Sequence, residues 1–181
     1  MEEFDPRSLL RGDVPTIYEI DLLPEGHEML SRKMGHFDFE TDPRDPYAIR
    51  DLLIAAMLNY GGSGLAANQI GVECRAFAMM LFNQPLVFFN PVITELSMDT
   101  IFLYESCLTF PHLRLNIARP GTCRVIYTDP DGNRQSVTLA GREARIAIHE
   151  TDHLNGVVMI QKVSRIRLKL ARRKASKRFA T

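Results

Sequence analysis

His149-Glu150-Thr151-Asp152-His153 is a His-Glu-x-x-His string inside a segment that reads as helix. On a helix, residues four apart share a face, so His149 and His153 present two imidazole nitrogens to one point. Glu150 stands one position past the first histidine and reaches a water on the same ion without ligating it. Two ligands and a base on one turn suit a divalent ion that lowers the pKa of water toward neutrality. Read without that chemistry, the pair would be two surface histidines. The apolar residues Ala144, Ile146, Ala147 and Ile148 just before them argue for a helix buried by its neighbours.

Two histidines do not hold a catalytic metal, and a third ligand is needed. In common zinc peptidases with this string it is a His or Glu farther along the chain. Here the residues after His153 include no Asp, Glu, Cys or His. The ligand must come from upstream, where three histidines, three cysteines and many carboxylates are available. Cys74 and Cys123 look like mid-strand residues on apolar faces, where a thiol acts as a small hydrophobe. Cys107, in Glu105-Ser106-Cys107-Leu108-Thr109, lies past the strand-like run Ile101–Tyr104 and before Pro111. A ligand at a strand end can turn its sulfur and neighbouring N–H groups toward a site, which favours Cys107.

Three motifs now stand in order: Gly62-Ser63-Gly64-Leu65-Ala66-Ala67-Asn68-Gln69, Glu105-Ser106-Cys107-Leu108-Thr109 and Ile148-His149-Glu150-Thr151-Asp152-His153. In this the chain resembles the peptide deformylases, whose motifs are written GxGLAAxQ, EGCLS and QHExDH. The resemblance covers roughly residues 45 to 165. It implies a metal held by Cys107, His149 and His153, ferrous iron in the cell, with zinc, nickel or cobalt also able to occupy the site. The implied reaction is removal of the formyl group from N-formylmethionyl peptides. Glu150 is then the general base, and the Gln69 amide and the Leu108 backbone N–H donate to the developing oxyanion. Ser63 and Gly64 offer bare backbone against which a peptide pairs as an added strand. Read without the family, the glycines only stop the preceding helix.

Three positions depart from the family pattern. Ser106 replaces a glycine where substrate backbone is expected to pass, and would be strained if its φ were positive. Thr109 replaces serine and keeps the hydroxyl. Ile148 replaces a glutamine and removes a hydrogen-bonding group near the metal; losses of that kind cost about 10–100-fold in affinity or activity. Asp152 is read as support, accepting a ligand histidine's free N–H or pairing with a basic residue such as Arg145. Glu105 would anchor the second motif by pairing with an arginine, Arg145 being a candidate.

The chain of 181 residues reads as one catalytic domain over 1–181, burying roughly 70% of its unfolded surface. The clearest helix is 45–60, capped by Asp45, with Pro46 in its first turn and Gly61-Gly62 as its stop. Ile49, Leu52, Leu53, Ala56 and Met57 make its apolar stripe. Strands are expected at Val72–Met80, Leu86–Asn90, Val92–Leu96 and Thr100–Tyr104, and a hairpin at Gly121–Thr128 and Gln135–Leu139. The metal helix runs from about Gly141 to Leu154. The fold class is α+β: antiparallel β-sheets around a central helix carrying the metal motif, with a C-terminal helix. The acidic start without an apolar stretch, three cysteines and no run long enough to span a membrane point to the cytoplasm, host cytoplasm if virus-encoded, and the chain is expected to act as a monomer.

Formal charge is zero overall, yet from Arg165 onward there are eight Lys or Arg and no acid. With 22 of each sign, the first 164 residues carry 22 acids against 14 bases, −8 against +8. The stretch at about 163–178 is expected as a basic helix. It is either a solvated face or a tail drawn to RNA phosphates, and some bacterial deformylases dock on the ribosome through such a helix. Two other functions compete: a His-Glu-x-x-His metallopeptidase, disfavoured by the missing downstream ligand, and a catalytically weak relative that binds nascent peptides.

Overall fold

The computed structural model describes residues 20–178. The acidic start of the chain lies outside the described residues. Helix α1 (Pro46–Asn59) leads into the short strand β1 (Gly64–Ala66), then β2 (Ala76–Leu81), β3 (Gln84–Leu96), β4 (Thr100–Cys107), β5 (Phe110–Pro120), β6 (Thr122–Thr128) and β7 (Arg134–Ala140). Helix α2 (Gly141–Leu154) carries both histidines, and α3 (Arg165–Arg178) is the basic helix. Five strands form one antiparallel sheet in the order β1-β2-β3-β6-β7, and β4-β5 form a separate hairpin. This is the α+β arrangement expected. Among the described residues no helix is long and apolar enough to cross a membrane.

The composition of β2 explains why it is central. Its residues Ala-Phe-Ala-Met-Met-Leu alternate between two cores, because side chains point to opposite faces at successive positions. Phe77 and Met79 pack toward α2 with Phe88 and Val125. The small Ala76 and Ala78 face α1, whose Leu53, Ala56 and Met57 fit against them. Phe77 and Phe88 are directly paired across the strands with rings stacked 4.9 Å apart. A third core, Leu113, Leu115 and Ile117 of β5 with Met159 and Cys107, receives Leu168 and Ala171 of α3.

Helix α1 matches its local signals. The Asp45 carboxylate accepts from Tyr47 N at 3.0 Å, and Gly61, at φ +64°, ends the helix with its N–H on Leu58 O. Ile54 and Ala55 are buried as well, and Leu52 only partly, so the buried face is broader than the stripe suggested.

The strand boundaries differ in instructive ways. Residues 72–75 form a tight turn instead of strand, with Val72 N on Ala67 O, so buried Cys74 precedes β2. The two expected strands around Pro91 are one, β3, bent by a register shift between Phe89 and Val92 where Asn90 has φ +50°. A proline without an N–H is tolerated at such a bulge. Strand β5 lies in a stretch where no strand was expected. His112, at φ +70°, breaks the alternation, and an inward position farther along is taken by Arg119. Both disguise the two-residue period in the sequence.

Candidate metal centre

Helix α2 is buried against the five-stranded sheet on one side and meets the end of the β4–β5 hairpin on the other, and this brings the second and third motifs together. Cys107 is the last residue of β4; Leu108 and Thr109 make the two-residue turn to Phe110, so the Leu108 N–H stands outside the ladder. The Cys107 Sγ lies 3.2 Å from His153 Nε2, which lies 3.2 Å from His149 Nε2. All three donor atoms lie within 4.8 Å of one another, and all three residues are buried.

The donor set fits a small cation. Three lone-pair donors this close repel unless a proton or ion sits among them. Tetrahedral bonds of zinc-like length would hold two nitrogens ~3.3 Å apart and nitrogen and sulfur ~3.6 Å apart. The first spacing is met and the second slightly undercut. Burial alone would lower the His149 imidazole, but its bonds to Cys107 and Glu105 outweigh that and push it up to about 10. Burial, and then the charge on His149, press His153 well below its ordinary value. Cys74 and Cys123 contrast with this: burial pushes their thiols up to about 12 and about 11, so they stay protonated hydrophobes.

Behind the histidines lies a buried charge network. Glu105 Oε2 accepts from His149 Nδ1 at 3.0 Å, which orients the ring. Arg119 grips both Glu105 oxygens, at 2.6 and 3.0 Å, and Arg145 adds a further bond at 2.6 Å. Burial would raise the Glu105 carboxyl, but the bonds from His149 and Arg119 outweigh it and hold it at about 2. Arg119, which sequence reasoning missed, also donates to Asp152 at 2.7 Å. The signal was indirect: a buried Glu105 beside a ligand histidine requires a nearby cation, and Arg119 sits fourteen residues on.

Asp152 takes the second of its expected roles, pairing with basic residues, but these are Arg119 and Lys162, the latter at 3.0 Å, and neither a histidine nor Arg145 touches it. As the neighbour of His153 on a helix it points off the histidine face. Ser106 lies at the register shift between Glu105 and Cys107 and is not among the positive-φ residues, so serine is unstrained there. Ile148 joins the core between α2 and the sheet, away from the polar site.

The first motif closes the site from the other side. Gln69 Oε1 accepts from Ala66 N at 2.8 Å, which leaves its amide N–H₂ facing Thr109 Oγ1 at 3.0 Å and Cys107 Sγ at 3.5 Å. The Thr109 hydroxyl is thus in use. Gly64 pairs with Met79 in β1, the edge strand, and a Cβ on it would lie 2.4 Å from Glu150 Oε1. The glycine is required because the Glu150 carboxylate occupies that space. Glu150 is buried, its Oε2 has no partner, and burial pushes it up to about 7, suitable for proton transfer at neutral pH. Gly64, Gln69, Glu105, Cys107, Arg145, His149 and Glu150 line one cleft of about 1040 Å³, which also takes in Ser63, Ser106 and Leu108.

Residues 20–169 match the family model described as Polypeptide deformylase. A peptide deformylase of Salinibacter ruber is 36% identical over 167 residues, covering 82% of each chain. The crystal structure of a peptide deformylase from Synechococcus elongatus in complex with actinonin superposes with a TM-score of 0.80 at 30% identity, covering 87% of this chain and 88% of that one. A Met-Ala-Ser-bound class I type b peptide deformylase from Acinetobacter baumannii gives a TM-score of 0.74 at 25% identity, covering 80% of this chain and 98% of that one. With a family match along most of its length and a shared fold, the chain belongs to the peptide deformylases, metalloenzymes that remove the N-formyl group from nascent polypeptides.

Proposed function

We propose that Cys107, His149 and His153 hold one divalent ion, Fe(II) in the cell, and that the cleft beside them deformylates N-formylmethionyl peptides. The observation that carries this is the convergence of one sulfur and two imidazole nitrogens within 4.8 Å. The donor chemistry also suits zinc, nickel or cobalt. When bound, the ion supplies Lewis acidity that lowers the pKa of water and polarises the formyl oxygen. Glu150 takes a proton from the attacking water, whose oxygen bonds to the formyl carbon. The Gln69 amide N–H₂ and the Leu108 N–H donate to the oxygen that gains charge, each such donor supplying roughly 3 kcal/mol. As the carbon–nitrogen bond breaks, Glu150 delivers the proton to the methionine amine, leaving formate and a free N-terminus. The peptide lies along the free edge of β1, pairing at Ser63 and Gly64, with Ser106 on the opposite wall. Glu105, Arg145 and Asp152 position the ligands, Asp152 through Arg119.

The test is an anaerobic assay of formyl-Met-Ala-Ser and the unblocked peptide, with bound metal measured on the same sample. Formate is expected from the first peptide in proportion to metal, with no cleavage of internal bonds. Metal-loaded protein that releases no formate overturns the reading.

We further propose that the chain works as a single domain and a monomer in the cytoplasm, docking on ribosomes through α3. Leu168 and Ala171 pack inward, while Ile166 and Leu170 stand exposed among the bases. Among the described residues, Arg172 alone of the α3 bases meets a carboxylate, that of Glu25. Deleting residues 165–181 is expected to weaken co-sedimentation with ribosomes at low salt; unchanged sedimentation rules the docking out.

A further inference from the structure

We propose that the cleft selects peptides bearing an acidic side chain just after the formylmethionine, with Arg142 and Arg114 as the groups that read the charge. This rests on the deformylase reading above. Arg142, exposed in the first turn of α2, donates from Nη2 to Ser63 Oγ at 2.7 Å. That bond holds its guanidinium over the edge strand along which the peptide is expected to lie, and uses one of five N–H donors. Arg114, exposed on β5, lies 5.7 Å from the Tyr104 ring centroid, so the ring fixes a second guanidinium on the other wall. Both line the same cleft.

The charge there is uncompensated. Among the described residues neither guanidinium meets a carboxylate. The acids in the cleft are Glu105, spanned by Arg119 and Arg145, and Glu150, buried beside the metal ligands. A substrate running outward therefore passes two cations and, among the described residues, no available anion. An extended chain alternates its side chains between the walls, so a carboxylate on either of the first two residues after methionine finds one arginine. An ammonium in the same place meets repulsion instead.

The test compares formyl-Met-Asp-Ser, formyl-Met-Ala-Ser and formyl-Met-Lys-Ser, and a second series varied at the third residue. All are amidated at the C-terminus so that the terminal carboxylate does not stand in for the side chain. At one of the two positions Asp is expected to exceed Lys in kcat/KM by about tenfold at low salt, and by less at high salt. Arg142→Glu or Arg114→Glu is expected to turn that preference toward Lys. Equal rates for Asp, Ala and Lys overturn the proposal, as does a preference untouched by both charge reversals. Binding of the deformylated peptides Met-Asp-Ser-amide and Met-Lys-Ser-amide is read in parallel. If no formyl peptide is turned over, the deformylase reading fails by itself, and equal affinities for these two still refute charge selection. An acid preference in binding, lost on charge reversal, upholds it.

Discussion

Glu150→Gln is expected to lower formate release by about a thousandfold while leaving bound metal unchanged. The substitution keeps the shape of the side chain, and the cavity against Gly64 that receives it stays filled. What disappears is the ability to take a proton from water and pass it to the amine, a function worth roughly 10²- to 10⁴-fold. Glutamine matches the carboxylate in size, and burial already pushes the Glu150 carboxyl up to about 7, toward its neutral form. Stability should therefore change little. Metal content and rate measured on the same sample separate the outcomes. A variant that keeps more than about a tenth of the native rate excludes Glu150 as the proton carrier.

Arg119→Ala is expected to destabilise the fold by about 3–5 kcal/mol, the typical consequence of removing one partner from a buried charge network. Arg119 is 3% exposed and spans Glu105 and Asp152, so its loss strips two bonds from one carboxylate and one from the other. Glu105, whose low pKa depends on those bonds, is then a buried anion held by Arg145 and His149 alone. Because Glu105 also orients the His149 ring, metal affinity should fall as well. Chemical unfolding of the metal-loaded variant reads the first effect, and metal retention during dialysis against a weak chelator reads the second. Arg119→Lys should recover only part of either, since an ammonium is a point charge and does not span two carboxylates as the planar fork does. A loss below about 1 kcal/mol, the range of surface ion pairs, contradicts the network's role.

Short-range signals made α1 and α2 legible. The Asp45 cap, Pro46 and Gly61 mark the ends of α1 to within a residue, and Asn155-Gly156 marks the end of α2. Local sequence was misleading where a residue answered to a distant partner. Val72 was read as strand, but its N–H bonds to Ala67 and it turns the chain. Arg119 was passed over because an inward arginine on a strand looks polar until a buried glutamate is found beside it. For Asp152 the sequence left a ligand histidine and a basic partner both open, and helix geometry turns it toward β5 and Arg119.

The residues alone determined the chemistry on offer: two imidazoles one helical turn apart, a base between them, and a short menu of third donors, because helical periodicity acts within a few residues. Tertiary structure decided how the menu is used. Only the packing of α2 against the sheet and the hairpin brings Cys107, forty-six residues before His153, to 3.2 Å from it. The same packing sets Glu150 against Gly64, closes Arg119 around Glu105, and, among the described residues, leaves Arg142 and Arg114 without acidic partners in the cleft. Those relations depend on how buried surfaces fit across the molecule, and no local rule of spacing encodes them.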